Sequence, residues 1–263
     1  MDVLLEDRNA VVYGGGGRVG GAVARAFARE GARVFLAGRT LSSLEEVAGE
    51  IGAAGGTAEA AVVDAFDQQA VDEHADAVAG KAGTIDVSFN AIGHGDVHGS
   101  PLLEMPYDDF FRPIANAMRA QFLTARAAAR HMVEQGSGVI LAITATTARH
   151  TIPNVGGTGV TFDAIESQCR QWAAELGPKG VRVVWLQTTG LPEATQDTGE
   201  PFPDYGTGQM TREEIIEWMR GKTMLRRLTS LADVGNMAAL VASDRAGAMT
   251  GCGANLTCGS VSR

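Results

Sequence analysis

The sequence predicts a protein of the α/β class, a single domain built on a doubly wound parallel sheet with helices on both faces. Three observations predict it. Short apolar runs alternate with helical patterns from one end of the 263 residues to the other, which is the signature of strands buried on both faces by crossover helices. A glycine-rich turn joins the first strand to the first helix. Apolar residues make up 45% of the chain and glycine contributes 34 positions, enough to bury a large core under closely packed helices.

The elements follow in order. Residues 10–13 form a short apolar strand that ends in glycines, and residues 19–30 a helix with Val23, Ala26 and Phe27 on one face, closed by Gly31. A strand at 33–37, a helix at 41–51, a strand at 60–63, a helix at 69–79 and a strand at 85–90 continue the pattern. Residues 108–134 are a long helical stretch in which Pro113 offers a place for a kink. A strand at 138–144, a helix at 163–176 ended by Gly177-Pro178, and a strand at 181–187 come next. Residues 191–227 are irregular apart from a short helix at 212–219; a stretch of that length is expected to act as a lid over a substrate site. A helix at 231–243 and a strand at 254–257 finish the chain, with no internal repeat and no linker.

Composition excludes several classes. The net charge is −9 and no basic stripe is present, so a nucleic-acid partner is not expected. Cys169, Cys252 and Cys258 are odd in number and none are spaced C-x-x-C, which indicates neither a disulfide framework nor a metal site. Residues 1–9 are charged, and no apolar run reaches the ~20 residues that span a bilayer. The expectation is a soluble, cytoplasmic protein away from membranes.

The strongest local motif is Val11-Val12-Tyr13-Gly14-Gly15-Gly16-Gly17-Arg18-Val19-Gly20, where Gly15, Gly17 and Gly20 match G-x-G-x-x-G between strand and helix. A side chain there would keep the backbone from a pyrophosphate, and the helix N-terminus favours an anion. This predicts a bound dinucleotide in a Rossmann-type fold. Arg39 ends the second strand where an acidic residue would hold the ribose 2′-hydroxyl of NAD; a cation suits the 2′-phosphate of NADP. Arg18 could add a second cation, could be a solvated surface residue, or could block the loop altogether. Asp64 follows the third strand and either meets an adenine amino group or caps the next segment. The stretch Phe89-Asn90-Ala91-Ile92-Gly93 ends the fourth strand at the edge where ligands bind in such sheets.

These residues resemble the short-chain dehydrogenase/reductase family along almost the whole chain. Asn90-Ala91-Ile92-Gly93 is similar to its N-A-G stretch. Residues 172–183, WAAELGPKGVRV, are similar to its helix–turn–strand, and Ala242-Ser243-Asp244-Arg245 with Thr250-Gly251 to its C-terminal segment. The resemblance implies seven parallel strands, a nicotinamide cofactor, NADP(H) by the Arg39 argument, and a homo-oligomer, tetramer or dimer, with contacts through residues 108–134 and 163–176. It implies that Gly14, Gly15, Gly17, Val19, Arg39, Asp64, Ala65, Asn90, Ala91 and Ile92 line the cofactor together with Arg18. The family's T-G-x-x-x-G-x-G places Tyr13 at the Thr and Arg18 at the middle Gly, so Arg18 must point away from the pyrophosphate or clasp it.

The family's proton relay is absent in this register. Anchored on Ala173-Ala174-Glu175-Leu176, the Ser, Tyr and Lys positions fall on Ala145, Thr158 and Phe162. The wider Tyr–Lys spacing of the enoyl-reductase branch places Val155 at the Tyr and Phe162 again at the Lys, and the helix Asn falls near Ala117, with Asn116 one residue early. The tyrosines are Tyr13, Tyr107 and Tyr205, and no lysine lies between Lys81 and Lys179. A displaced relay would need Tyr205 and Lys222, both in the irregular segment, where flexibility disfavours a precise site. Thr144, Thr146 and Thr147 flank the empty Ser position; His94, His98 and His150 follow strands, and imidazole is the side chain suited to proton transfer at neutral pH. Among these, Thr144, Thr146 and His150 are the expected substitutes, and ordinary loop or strand-end roles are the alternative for each. His74 and His131 read as surface helix residues and Cys169 as packing. Leu102, Leu103, Phe110, Phe111, Trp185 and Phe202 suggest an apolar pocket or simply core. The expected function is an NADP(H)-dependent oxidoreductase for a small apolar carbonyl or enone with altered proton handling. The alternative is a non-redox use of the scaffold, as a cyclase, isomerase, dehydratase or NADP(H) sensor.

Overall fold

The structure is a computed structural model and describes residues 3–194, 203–206 and 208–261. Seven parallel strands form one sheet: β1 (Asn9–Tyr13), β2 (Arg33–Gly38), β3 (Thr57–Val62), β4 (Val87–Asn90), β5 (Gly138–Ala145), β6 (Val181–Thr188) and β7 (Cys252–Leu256). Their order is β3-β2-β1-β4-β5-β6-β7. The chain starts mid-sheet, winds outward to β3, returns to β4 beside β1 and winds the other way. That reversal leaves a crevice at the carboxyl ends of β1 and β4, because the crossovers leaving them go to opposite faces.

The helices are α1 (Arg18–Arg29), α2 (Leu41–Ala53), α3 (Gln68–Ala82), α4 (Tyr107–Gln135), α5 (Thr158–Leu176), α6 (Arg212–Gly221) and α7 (Leu231–Ala242). Strand side chains alternate between two apolar layers. Ala10 and Val12 of β1 and Val184 and Leu186 of β6 pack with Phe27 of α1, Leu44 of α2 and Val234 of α7. Their neighbours Val11, Tyr13, Val183 and Trp185 pack with Val71 of α3, Met132 of α4 and Ile165 of α5. Small residues let the helices approach: a Cβ on Gly235 of α7 would lie 2.9 Å from Ala26 Cβ of α1.

Several element boundaries differ from expectation, three of them for identifiable reasons. β3 begins three residues before the apolar run, since Thr57, Ala58 and Glu59 pair with Arg33, Val34 and Phe35, and Glu59 bonds Arg33 and Lys81 across the edge. α5 begins five residues early, at Thr158. Its glycines read as loop, yet Gly157 and Gly159 are where the helix start meets backbone: added Cβ atoms would sit 2.1 Å from Phe110 O and 2.9 Å from Thr147 O. β7 gains Cys252 and Gly253, the latter because the Trp185 indole lies 2.5 Å from where a Cβ would stand.

His74 is a correction. It is not a surface residue: its ring packs edge-on at 5.8 Å against Tyr13, and its Nδ1 is buried without a partner among the described residues. Burial holds its pKa down, from 6.5 to about 4. The folded protein therefore keeps His74 neutral where the unfolded chain protonates it. Stability falls as pH drops from about 6.5 to about 4, by about 3 kcal/mol at most. Urea unfolding at pH 7 and pH 5 should show this loss, and His74→Gln should flatten it; an unchanged slope in the variant would remove the assignment.

Candidate active site

The turn after β1 is shaped by backbone contacts. Gly14 has φ +78°, and a Cβ on it would lie 2.7 Å from Ala91 O at the exit of β4. A Cβ on Gly20 would lie 2.2 Å from Gly14 O. Gly15 packs against Leu36 and Gly16 against Ser43 of α2, whereas Gly17 is open apart from Gly14 O at 3.2 Å. Gly17 caps α1 without a side-chain hydrogen bond, and no acidic residue occupies the first turn. The first N–H groups of α1 thus have no side-chain cap and nothing negative on their own helix, the condition that favours an anion. Of the predicted cofactor residues, Gly14, Gly15, Gly17 and Arg18 belong to this turn or to the start of α1, and Ala91 meets Gly14 at the exit of β4. Arg39 is exposed at the end of β2, and among the described residues it has no hydrogen bond or ion pair. Thr40, which sequence reasoning passed over, follows it as the N-cap of α2 with its hydroxyl unused by the helix. These features fit a phosphorylated dinucleotide.

The other cofactor candidates divide by what they touch. Val19, Ala91 and Ile92 line the cleft described below. Asn90 is buried and structural: its amide donates to Thr124 Oγ1 at 2.9 Å and its oxygen accepts from Ile92 N at 2.9 Å, which fixes the β4 exit. Asp64 is exposed and accepts from Phe66 N at 3.0 Å, a local turn, while Ala65 is buried. Arg18 does not stand free. Its guanidinium donates to the carbonyl of Glu193 at 2.9 Å, tying α1 to the root of the 191–227 segment.

A cleft of about 920 Å³ opens at the carboxyl ends of β4, β5 and β6 beneath α6. Ile143, Ile152, Phe162, Ile215, Trp218 and Met219 give it an apolar wall. Thr144, Ala145, Thr146, His150, Thr158 and Phe162 all line it, so the structure gathers every sequence-nominated catalytic position in one place. Their chemistry differs. Thr144 is 1% exposed and its hydroxyl donates to Glu166 Oε1 at 3.3 Å, so it belongs to the floor. Thr146 is buried and its carbonyl accepts from the backbone N–H groups of Arg149 and His150, while His150 is exposed at the mouth. The Thr147 hydroxyl is buried with no partner among the described residues. Cys169 is on the buried side of α5, with burial pushing its thiol up to about 12, which suits packing.

Two polar groupings that the sequence did not assemble lie at the cleft, one behind its floor and one on its wall. One is the Glu166 carboxylate on α5, 1% exposed, held by Thr144, by Gln187 Nε2 at 3.2 Å and by Arg149 at 2.7 Å. The other is a chain of hydrogen bonds. His98 lies 3.2 Å from the Tyr205 hydroxyl through Nδ1 and 2.8 Å from Thr158 Oγ1 through Nε2, and Thr158 Oγ1 donates to Asp96 Oδ1 at 3.1 Å. Burial lowers the His98 pKa, with Asp96 opposing, and raises that of Tyr205. Half of the displaced pair considered from sequence is therefore present: Tyr205 faces the cleft beside His98. Lys222 also lines the cleft, but its ammonium sits 5.4 Å over the Trp218 ring.

The proposed apolar lining is a correction. Leu102, Leu103, Phe110, Phe111 and Trp185 do not line the cleft. The first two are exposed on the loop before α4, Phe111 stacks on Tyr107 at the surface, and Trp185 packs inside the sheet layer. Phe202 lies outside the described residues.

Comparison with known proteins agrees with this architecture. A family model described as enoyl-(acyl carrier protein) reductase matches residues 18–259. The chain is 31% identical to an L-rhamnose 1-dehydrogenase (NAD(P)(+)) of Azotobacter vinelandii, covering 95% of this chain and 94% of the relative. It is 28% identical to a 7alpha-hydroxysteroid dehydrogenase of Escherichia coli K12, covering 95% and 92%. Among solved structures, a short-chain type dehydrogenase/reductase from Mycobacterium ulcerans superposes with TM-score 0.85 at 25% identity, covering 98% of this chain and 90% of that one. A 7 alpha-hydroxysteroid dehydrogenase complexed with NADH and 7-oxo glycochenodeoxycholic acid superposes with TM-score 0.82 at 25% identity, covering 100% and 97%. Among the described residues no helix is long and apolar enough to cross a membrane, and no cluster of three metal-ligating side chains is present.

Proposed function

The chain belongs to the short-chain dehydrogenase/reductase family, and on that basis we propose that it is an NADP(H)-dependent oxidoreductase for a small, apolar carbonyl or enone. The observation that carries this reading is the juxtaposition of the glycine turn and the apolar cleft at the reversal of the sheet. Bound nicotinamide would supply or accept the hydride. The backbone at Gly14–Val19 would take the pyrophosphate, and Arg39 with Thr40 the 2′-phosphate. The Ser, Tyr and Lys positions would be filled by Ala145, Thr158 and Phe162, so a proton must come from other groups. A conjugated enone lessens that demand, because its hydride adduct is a stabilised enolate, and the description of the matched family model favours such a substrate. Of the expected lid at 191–227, residues 195–202 and 207 lie outside the described residues; Tyr205 and α6 would cover the cleft. Association into a dimer or tetramer would use the outer faces of α4 and α5, where Phe122 pairs with Trp172 at 5.7 Å and Val160 is exposed.

Loss of NADPH absorbance in stopped flow tests the reading, with 2-cyclohexen-1-one and apolar cyclic ketones as probes. Turnover supports it. Retained cofactor with a product of unchanged mass would favour the non-redox alternative, which the side chains at positions 145, 158 and 162 also permit.

Arg39→Ala should weaken NADPH binding by about 10–100-fold, the loss of one charge-assisted contact of about 1.5–3 kcal/mol. NADH binding should hardly change. Calorimetric titration of both coenzymes checks this, and equal losses would show that Arg39 does not read the 2′-phosphate.

A further inference from the structure

We infer that Tyr205 is the acid–base residue of this cleft, wired through His98 and Thr158 to Asp96. The inference rests on the oxidoreductase reading above and supplies the proton path that reading lacks.

The polarity of the chain follows from its end. An Asp96 carboxylate can only accept, so the single Thr158 hydroxyl proton is committed to it at 3.1 Å. Thr158 Oγ1 must then accept from His98, which places a proton on Nε2 at 2.8 Å. Neutral His98 is left with a bare Nδ1, and that atom accepts the Tyr205 O–H at 3.2 Å. Every bond therefore points from the phenol toward the carboxylate. The four residues come from three places in the chain: the loop after β4, the first turn of α5 and the segment before α6. All four line the cleft. Thr158 stands at the position that the family resemblance assigns to the tyrosine, so the relay occupies the usual place with its phenol supplied from the opposite wall.

The chemistry balances in both directions. For an alcohol, its O–H proton passes to the Tyr205 oxygen while the tyrosine's own proton moves to His98 Nδ1. The carbinol C–H breaks with its electron pair carried as hydride to oxidised nicotinamide, and the C=O double bond forms. For a ketone the movements reverse: imidazolium returns a proton to Tyr205, Tyr205 protonates the carbonyl oxygen, and hydride adds at carbon. Imidazolium exchanges its extra proton with solvent at the cleft mouth. Asp96 offsets the charge that appears on His98 without being protonated. The titratable and charged groups that share the cleft with His98 are His94 and Asp96 on its own loop, Tyr205 from the segment before α6, Arg149 and His150 from beyond β5, and Lys222 from the end of α6.

The test has two arms on the full-length protein. In the first, kcat is followed for cyclohexanone reduction and for cyclohexanol oxidation, beside NADPH affinity by calorimetry. Tyr205→Phe should lower kcat by about 10²–10⁴-fold, the usual worth of general acid catalysis, with NADPH affinity unchanged. Oxidation should rise with pH as His98 becomes neutral. Asp96→Asn should move that midpoint to lower pH, since the carboxylate favours the imidazolium. Wild-type turnover that survives Tyr205→Phe with an unchanged pH profile would overturn the relay and leave the oxidoreductase reading standing. In the second arm, ¹⁵N signals of the His98 ring are read without cofactor or substrate. Wild type should show the Nε2–H tautomer, and Thr158→Val, which removes the acceptor, should shift it to Nδ1–H. An Nδ1–H tautomer in the wild type would overturn the relay even if neither probe substrate reacts, whereas the expected tautomer without turnover would count against the oxidoreductase reading alone.

Discussion

Gly20→Ala is expected to cost the protein both stability and its dinucleotide. The new methyl would stand 2.2 Å from Gly14 O and 2.8 Å from Gly14 C, and both are backbone atoms that cannot rotate aside. Gly14 cannot retreat, since its own Cα faces Ala91 O at the exit of β4 and its φ of +78° already uses the freedom of glycine. Relief must come from moving the turn or the start of α1. Overpacking of this kind costs about 1–3 kcal/mol, occasionally more, and a turn displaced by it loses the aligned N–H groups. NADPH affinity should fall by at least about tenfold, which corresponds to about 1.4 kcal/mol. Gly17→Ala separates the two roles of glycine here. Its Cβ meets only Gly14 O, at 3.2 Å, so the fold should tolerate it while the pyrophosphate loses its close approach. Gly49→Ala, with nothing within 4 Å on α2, is the neutral comparison. Thermal unfolding and calorimetric titration of the three variants would decide; equal cofactor losses for Gly17→Ala and Gly49→Ala would show that the turn does not hold the phosphates.

Arg149→Ala should destabilise the protein by about 3 kcal/mol, the lower end for breaking a buried ion pair. Glu166 is 1% exposed, and Arg149 at 2.7 Å is its nearest cation; Arg170 lies 4.0 Å away. Without Arg149 the carboxylate keeps only Thr144 and Gln187 as close partners. The loss stays near the low end because the Arg149 side chain is itself 46% exposed. The cleft floor would suffer as well, since Thr144 and the end of β6 are fixed through the same carboxylate. Glu166→Gln, which keeps an acceptor for Thr144, should cost less than Arg149→Ala. Urea unfolding at pH 7 checks the order, and the reverse order would mean that the pair contributes little beyond its hydrogen bonds.

The parts of the site that sequence exposed are those fixed by backbone geometry near one strand end. Gly14 and Gly20 were legible because a strand, a sharp turn and a helix cannot meet so closely with side chains present. Arg39 was legible because its place at the end of β2 needs only the strand pattern. His98 and Tyr205 were not paired, for they are 107 residues apart and each sits in irregular chain with no periodicity to assign it a face. Glu166 was missed because a charged residue in a helix reads as solvent-facing; only the packing of α5 against β5 and β6 turns it inward. His74 was misjudged for the same reason: the charged residues Asp72, Glu73 and Asp76 around it in the sequence hid its contact with Tyr13.

Alternating apolar runs and one glycine turn were enough to determine the sheet, its two helical layers and the tight β1–α1 turn, because these depend on local periodicity and on backbone sterics within a few residues. Only the tertiary structure decided which polar groups share the cleft. Hydrogen bonds between distant side chains depend on how separate crossovers pack, and no spacing along the chain encodes that.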